Sequence, residues 1–284
     1  MLKQRIITGS ILLATILLAI AYLPFAALHI LFGFILLLAA YELATLLGIK
    51  GTCSKVLYCG LLAVMGLMIV NANISRDYFG HAAYIFNTEI FIFWCFILVF
   101  IVLLHDGMLR NKKIIQYTFS ITSTFSLLIA YVCLDTWFDD QGSTMRHPVS
   151  HTLPFISLVL LVVVSDTSAY FFGKRFGKKK FFPNISPNKT LAGFWASNLC
   201  VALYAVFYVY WLEKPFFLLN YFQIVTIFIL LNLFAITGDL FISALKRHAG
   251  VKDSGALLPG HGGVLDRVDS MVPVLSVYFW IIWI

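Results

Sequence analysis

Residues Ile6 to Leu47 read IITGSILLATILLAIAYLPFAALHILFGFILLLAAYELATLL, an apolar run with Pro24 near its middle. A helix crossing the roughly 30 Å hydrocarbon core of a bilayer needs about 20 apolar residues, so this run is too long for one crossing and suits two. Proline lacks an amide hydrogen and clashes with the preceding turn, so Pro24 marks the break between the two helices. The chain is therefore expected to begin as a helical hairpin in lipid.

The rest of the chain repeats the pattern. Of the 284 residues, 61% are hydrophobic and only 12% charged, beyond what a soluble domain tolerates. Apolar runs predict spans at 6–23, 26–47, 55–72, 89–105, 114–134, 153–172, 190–212, 220–245 and 270–284. The expected fold class is all-α: a polytopic membrane protein of about nine transmembrane helices in a single domain, 1–284. Spans 1–5 (1–152) form an N-terminal half. Spans 6–9 (153–284) form a catalytic half with polar loops at 173–189 and 246–269.

Loop charge sets the orientation. With the N-terminus cytoplasmic and the C-terminus outside, all but Arg76, Arg146 and Lys214 of the 20 Lys and Arg residues fall on the cytoplasmic side. Lys3, Arg5 and Ala19-Ile20-Ala21 imitate a signal peptide, but this orientation needs an uncleaved first span. Cys53, Cys59, Cys95, Cys133 and Cys200 form no C-x-x-C pair and read as packing residues. The net charge of +7 is split among short loops and gives no nucleic-acid face.

Intramembrane acids are informative, because an ionised Asp at mid-bilayer costs about 2.5–3.5 kcal/mol on insertion scales. Glu42, Asp166 and Asp239 each lie some turns before the cytoplasmic end of their span, at a depth of roughly 8–12 Å. Their convergence would make a polar pocket open to the cytosol. For Glu42, a local cap or pair near the interface is an equal alternative. Asp239 shares a helical face with Ser243, Lys246 and Arg247, which places an acid, a hydroxyl and two cations on one stripe.

Ser243 to Ser270, SALKRHAGVKDSGALLPGHGGVLDRVDS, is the densest polar segment. Its glycines admit close backbone approach to phosphates, its cations neutralise phosphate charge, and Asp266 and Asp269 lie three apart on one helical face where a hard cation would sit. That combination reads as metal-assisted chemistry on a nucleotide. His261, between Gly260 and Gly262, either donates to a phosphate or satisfies the turn.

The pattern Ser243, Lys246-Arg247, Lys252-Asp253, Pro259-Gly260-His261-Gly262-Gly263, Asp266-Arg267 and Asp269 resembles the signature of phosphatidate cytidylyltransferases, also called CDP-diacylglycerol synthases. The resemblance extends upstream to Asp166, Ala169-Tyr170, Gly173 and Ser186-Pro187-Asn188-Lys189-Thr190. Asn188 and Ala192 stand where family members carry a second lysine and a glutamate. The hydroxyls and lysine of this element suit anion contact at a helix start, whereas Lys178 to Lys180 satisfy the loop-charge rule.

What the resemblance implies is transfer of a cytidylyl group from CTP to phosphatidic acid, at the cytoplasmic face of the cell inner membrane. The implied cofactor is Mg²⁺, with room for a second cation, held by Asp239, Asp266, Asp269 and Asp166. Catalytic roles fall to Asp239, Lys246, Arg247, Asp266, Arg267 and Asp269. Substrate contacts fall to Ser186, Lys189, Thr190, Ser243, Lys252, Gly260, His261, Gly262 and Gly263. Membrane lipids are expected partners and a homodimer a candidate assembly. Another CTP-dependent lipid or polyprenol phosphotransferase is the chemical alternative, although the D-G-x-x-A-R motif of CDP-alcohol phosphotransferases is absent. A nucleotide transporter would be expected to show two related halves, and none are seen.

Overall fold

The computed structural model describes residues 2–74, 80–105, 112–138, 152–211, 220–257 and 262–282. Each expected apolar run is covered by a helix: α1 (Leu2–Tyr22), α2 (Phe25–Leu46), α3 (Thr52–Ile74), α4 (Gly80–His105), α5 (Lys112–Phe138), α6 (Thr152–Phe176), α7 (Leu191–Trp211), α8 (Tyr221–His248) and α10 (Met271–Ile282). A short helix, α9 (Leu265–Val268), precedes the last. Pro24 is the cap residue of α2, in an extended conformation (φ −65°, ψ 153°) that breaks the first run into two helices.

Among the described residues, α2, α3, α5, α6, α7 and α8 are long and apolar enough to cross a membrane, and α1 and α4 carry shorter apolar stretches, Gly9–Tyr22 and Glu89–His105. Leu57 and Met68 on α3 and Leu199 and Phe207 on α7 are each more than half exposed. Such apolar outer faces are unfavourable in water and favourable in hydrocarbon, where the helix also satisfies its own backbone hydrogen bonds. The chain is a multi-pass membrane protein.

The core is mostly aliphatic, and its largest fully buried side chains include Trp94, Phe119, Phe155, Phe228 and Phe241. α10 packs against α4, α5, α6 and α8 and so lies inside the bundle. Its crossing with α8 depends on Gly238: a Cβ there would strike the Asp269 carbonyl oxygen and come within 2.7 Å of Pro273 Cγ. α6 and α7 are in comparably close contact through Gly173 and Gly193, where a Cβ would meet Thr190 Oγ1 and the Ala169 carbonyl.

One segment departs from helix. Ser186–Thr190, expected as a helix start, is a strand, β2, paired antiparallel with β1 (Lys180–Phe182) in the register Lys180↔Thr190 and Phe182↔Ser186. Pro187 is tolerated because a two-stranded ribbon has open edges. The amide of Ile185 closes the turn on the Phe182 carbonyl at 3.1 Å, and β2 passes directly into α7.

This hairpin is fixed from several sides. Asn184 Nδ2 donates to the His105 carbonyl (3.4 Å) at the end of α4, the His105 and Phe182 rings stand 4.8 Å apart, and Phe181 packs on Phe194 of α7.

Candidate active site

Two polar segments far apart in sequence meet where α6 and α8 end and α7 begins. Lys189, at the end of β2, pairs with Asp239 of α8, Nζ to Oδ2 2.7 Å, and Ser243 Oγ donates to Asp239 Oδ1 at 3.2 Å. The stripe expected from helical spacing is thus present, but the nearest cation to Asp239 comes from the hairpin. One turn further, Lys246 pairs with Asp266 of α9, Nζ to Oδ1 2.5 Å.

Asp266 also organises the loop in front of it. Its Oδ2 accepts from the amides of Ser254 (3.0 Å) and Gly263 (3.2 Å). Burial opposes ionisation of Asp266, but the hydrogen bond from Lys246, the two amides and the nearby ammonium outweigh it and hold the carboxyl below the usual aspartate range. Gly262, at φ +83°, takes a left-handed conformation open to glycine, and this lets the loop turn back onto Asp266.

Asp269 is buried, and its Oδ1 accepts from the amide (2.7 Å) and hydroxyl (3.4 Å) of Ser270. Burial first, then the carboxylates of Asp239 and Asp166, push its carboxyl well above the ordinary range. Asp166 of α6 is exposed and within electrostatic reach of Asp239, Lys189 and Arg267. Four carboxylates therefore share one basin with two lysines.

An all-oxygen, all-carboxylate donor set fits a hard divalent cation. With the side chains as they stand, no three such groups among the described residues are close enough to hold one ion together, and Asp239 and Asp266 are each paired with a lysine.

The other expected residues are distributed around this basin. Arg247 turns to the hairpin and its own loop, with Nε donating to the Ile185 carbonyl (3.3 Å) and Nη1 to the Val251 carbonyl (3.4 Å). Arg267 and Lys252 are exposed, and Ser186 is half-buried at the start of β2. Thr190 is buried and its Oγ1 accepts from the Gly193 amide (3.2 Å), so it caps α7. Gly260 and His261 lie outside the described residues.

Among the described residues, Glu42 takes distant partners and not the local ones expected near an interface. Its Oε2 accepts from Ser254 Oγ (2.8 Å) and the Leu265 amide (2.9 Å), and its Oε1 from the Val264 amide (3.0 Å), all more than 200 residues away in sequence. It satisfies the free amides at the start of α9, where Val264 has no side-chain cap. A Cβ on Gly255 or Gly263 would collide with its carboxylate. Ser254, Gly255 and Gly238 belong to no motif in the sequence. No sequence signal could have found Ser254 and Gly255, because their approach to Glu42 exists only in three dimensions.

A sequence model of the cytidylyltransferase family matches residues 3–284. Phosphatidate cytidylyltransferases of Staphylococcus aureus (strain COL) and Staphylococcus haemolyticus (strain JCSC1435) are each 39% identical over 165 residues, which is 57% of this chain and 62% of each relative. The chain thus spans less than two thirds of the length of the curated relatives it matches. The family match takes in both halves of the basin, the α6–hairpin element and the α8–α9 loop, and on that extent the chain belongs to the cytidylyltransferase family.

Proposed function

We propose that this protein transfers the cytidylyl group of CTP to phosphatidic acid, forming CDP-diacylglycerol and pyrophosphate. The observation that carries the reading is the pair of lysine–aspartate contacts, Lys189–Asp239 and Lys246–Asp266, beside Asp166 and Asp269 at one end of a membrane bundle. Relatives named phosphatidate cytidylyltransferase support it.

A phosphate oxygen of the lipid attacks the α-phosphorus of CTP, the bond from that phosphorus to the bridging oxygen breaks, and pyrophosphate leaves with the electron pair. A phosphate monoester is already anionic at neutral pH, so no strong base is needed and catalysis rests on positioning and charge stabilisation. Lys189 and Lys246 are held at the basin by their carboxylates and supply charge to the nucleotide phosphates. Ser243 orients Asp239, and Arg247 holds the hairpin that carries Lys189.

Asp239, Asp266, Asp269 and Asp166 are the residues that would have to draw together to hold Mg²⁺, since no three of them stand close enough to share one ion as they are; bound, it would polarise phosphate oxygens and offset the negative charge gathered there.

The loop-charge pattern supports nine crossings, a cytoplasmic N-terminus and a basin facing the cytosol of a bacterial inner membrane, where CTP is available. The acyl chains of the lipid stay in the bilayer while its head group enters laterally, drawn by the basic rim.

Purified protein incubated with labelled CTP and phosphatidic acid, with and without Mg²⁺, should give labelled CDP-diacylglycerol and pyrophosphate only with the metal. Label transfer to a polyprenol, or none to any lipid, contradicts the reading.

A further inference from the structure

Glu42 lies on α2, far in sequence from the carboxylates and lysines of the basin, which come from α6, β2, α8 and the segment around α9. We infer that Glu42 is a positioning residue, which from inside the membrane bundle sets the geometry of the loop carrying Asp266; its catalytic consequence rests on the transfer reaction proposed above.

Glu42 and Asp266 grip the same two backbone segments. Ser254 gives its hydroxyl to Glu42 (2.8 Å) and its amide to Asp266 (3.0 Å). Gly263 gives its amide to Asp266 (3.2 Å), and the next two amides, of Val264 and Leu265, go to Glu42. The loop is therefore clamped between two carboxylates, one beneath it and one in the basin. Glycine at 255 and 263 is what lets the lower carboxylate come this close.

Every partner of Glu42 is a donor, so the clamp requires an acceptor at both oxygens. A glutamine fits the space but must turn its NH₂ toward the Val264 or Leu265 amide, donor against donor. An aspartate is one methylene shorter and keeps two acceptors. Lys189 and Asp239 are reached through β2 and α8 without passing through Glu42, so their share of CTP binding should survive its loss.

The test compares wild type, Glu42→Gln and Glu42→Asp in detergent by hydrogen exchange and steady-state kinetics. In Glu42→Gln, amides around 254 and 263–266 should exchange at least about 10-fold faster while those of α8 and α10 keep their protection. For the same variant, kcat should fall at least about 10-fold with KM for CTP changed less than about 3-fold, and Glu42→Asp should recover part of both losses. Unchanged exchange in the loop, a uniform rise across the bundle, or a glutamine variant as active as the aspartate one overturns the inference.

Should Glu42→Gln fail to fold, Gly263→Ala disturbs the clamp from the loop side, and there the same local exchange pattern supports the inference and its absence overturns it. If wild type transfers no cytidylyl group, the reaction proposal fails by itself, and exchange still decides whether Glu42 sets the loop.

Discussion

Lys189 and Asp239 are in contact, Nζ to Oδ2 2.7 Å, although one ends a β-strand and the other lies within a helix on the far side of α7 in sequence. Both side chains keep partial access, 25% and 31%, so the pair is open to an incoming ligand. A pair this accessible to solvent is screened and contributes only modestly to stability. Its significance is that it aims a lysine into a carboxylate basin.

Because the two groups act on one site, their losses should not multiply. Lys189→Ala and Asp239→Asn are each expected to lower kcat/KM for CTP by about 10²-fold or more. The double variant should fall short of the product of the two, with a coupling of about 0.5–3 kcal/mol. Initial rates with labelled CTP measure all three, and fully multiplicative losses would mean that the residues act separately.

Asp269 gives a stability prediction with a definite sign. Its carboxyl titrates above the unfolded-chain value of about 3.9, so its contribution to stability is complete below that pH and is lost as pH rises toward the folded value. Without divalent cation, the wild-type unfolding temperature should fall from about pH 4 toward neutrality more steeply than that of Asp269→Asn. At pH 7 the variant should be the more stable and inactive, and added Mg²⁺ should raise the unfolding temperature of wild type more than that of the variant. Parallel thermal curves for the two proteins would remove Asp269 from the buried-charge account.

Gly238→Ala tests the crossing of α8 and α10. The new methyl meets the Asp269 carbonyl and Pro273, both parts of backbone or ring that cannot swing aside. Over-packing of this kind costs about 1–3 kcal/mol. Thermal unfolding in detergent should show the loss, with activity falling further because the carbonyl belongs to a site residue. A variant as stable as wild type would mean that the two helices separate freely.

The cations divide into two groups. Lys246 contacts Asp266, whereas Lys179 is exposed and, among the described residues, only its carbonyl is engaged, accepting from the Leu191 amide at 3.0 Å. Lys246→Ala should lower kcat/KM by at least about 10²-fold and Lys179→Ala by less than about 3-fold at moderate salt. Comparable losses at both positions would extend the site along the hairpin.

Apolar runs alone marked every helix of the described residues except the short α9, since a bilayer rewards any run of about 20 hydrocarbon side chains whatever its neighbours. Helical spacing likewise placed Ser243 beside Asp239, and the glycines, cations and acids of residues 243–270 marked out the segment that brings Lys246, Asp266 and Asp269 together. These are local properties, carried by one segment at a time. Tertiary structure alone decided that Ser186–Thr190 is a strand, that Lys189 and not Arg247 reaches Asp239, and that Arg247 turns to the Ile185 carbonyl. It alone decided the partners of Glu42, because a hydrogen bond joining residue 42 to residues 254, 264 and 265 has no periodicity to reveal it and appears only when α2 packs against the loop before α9.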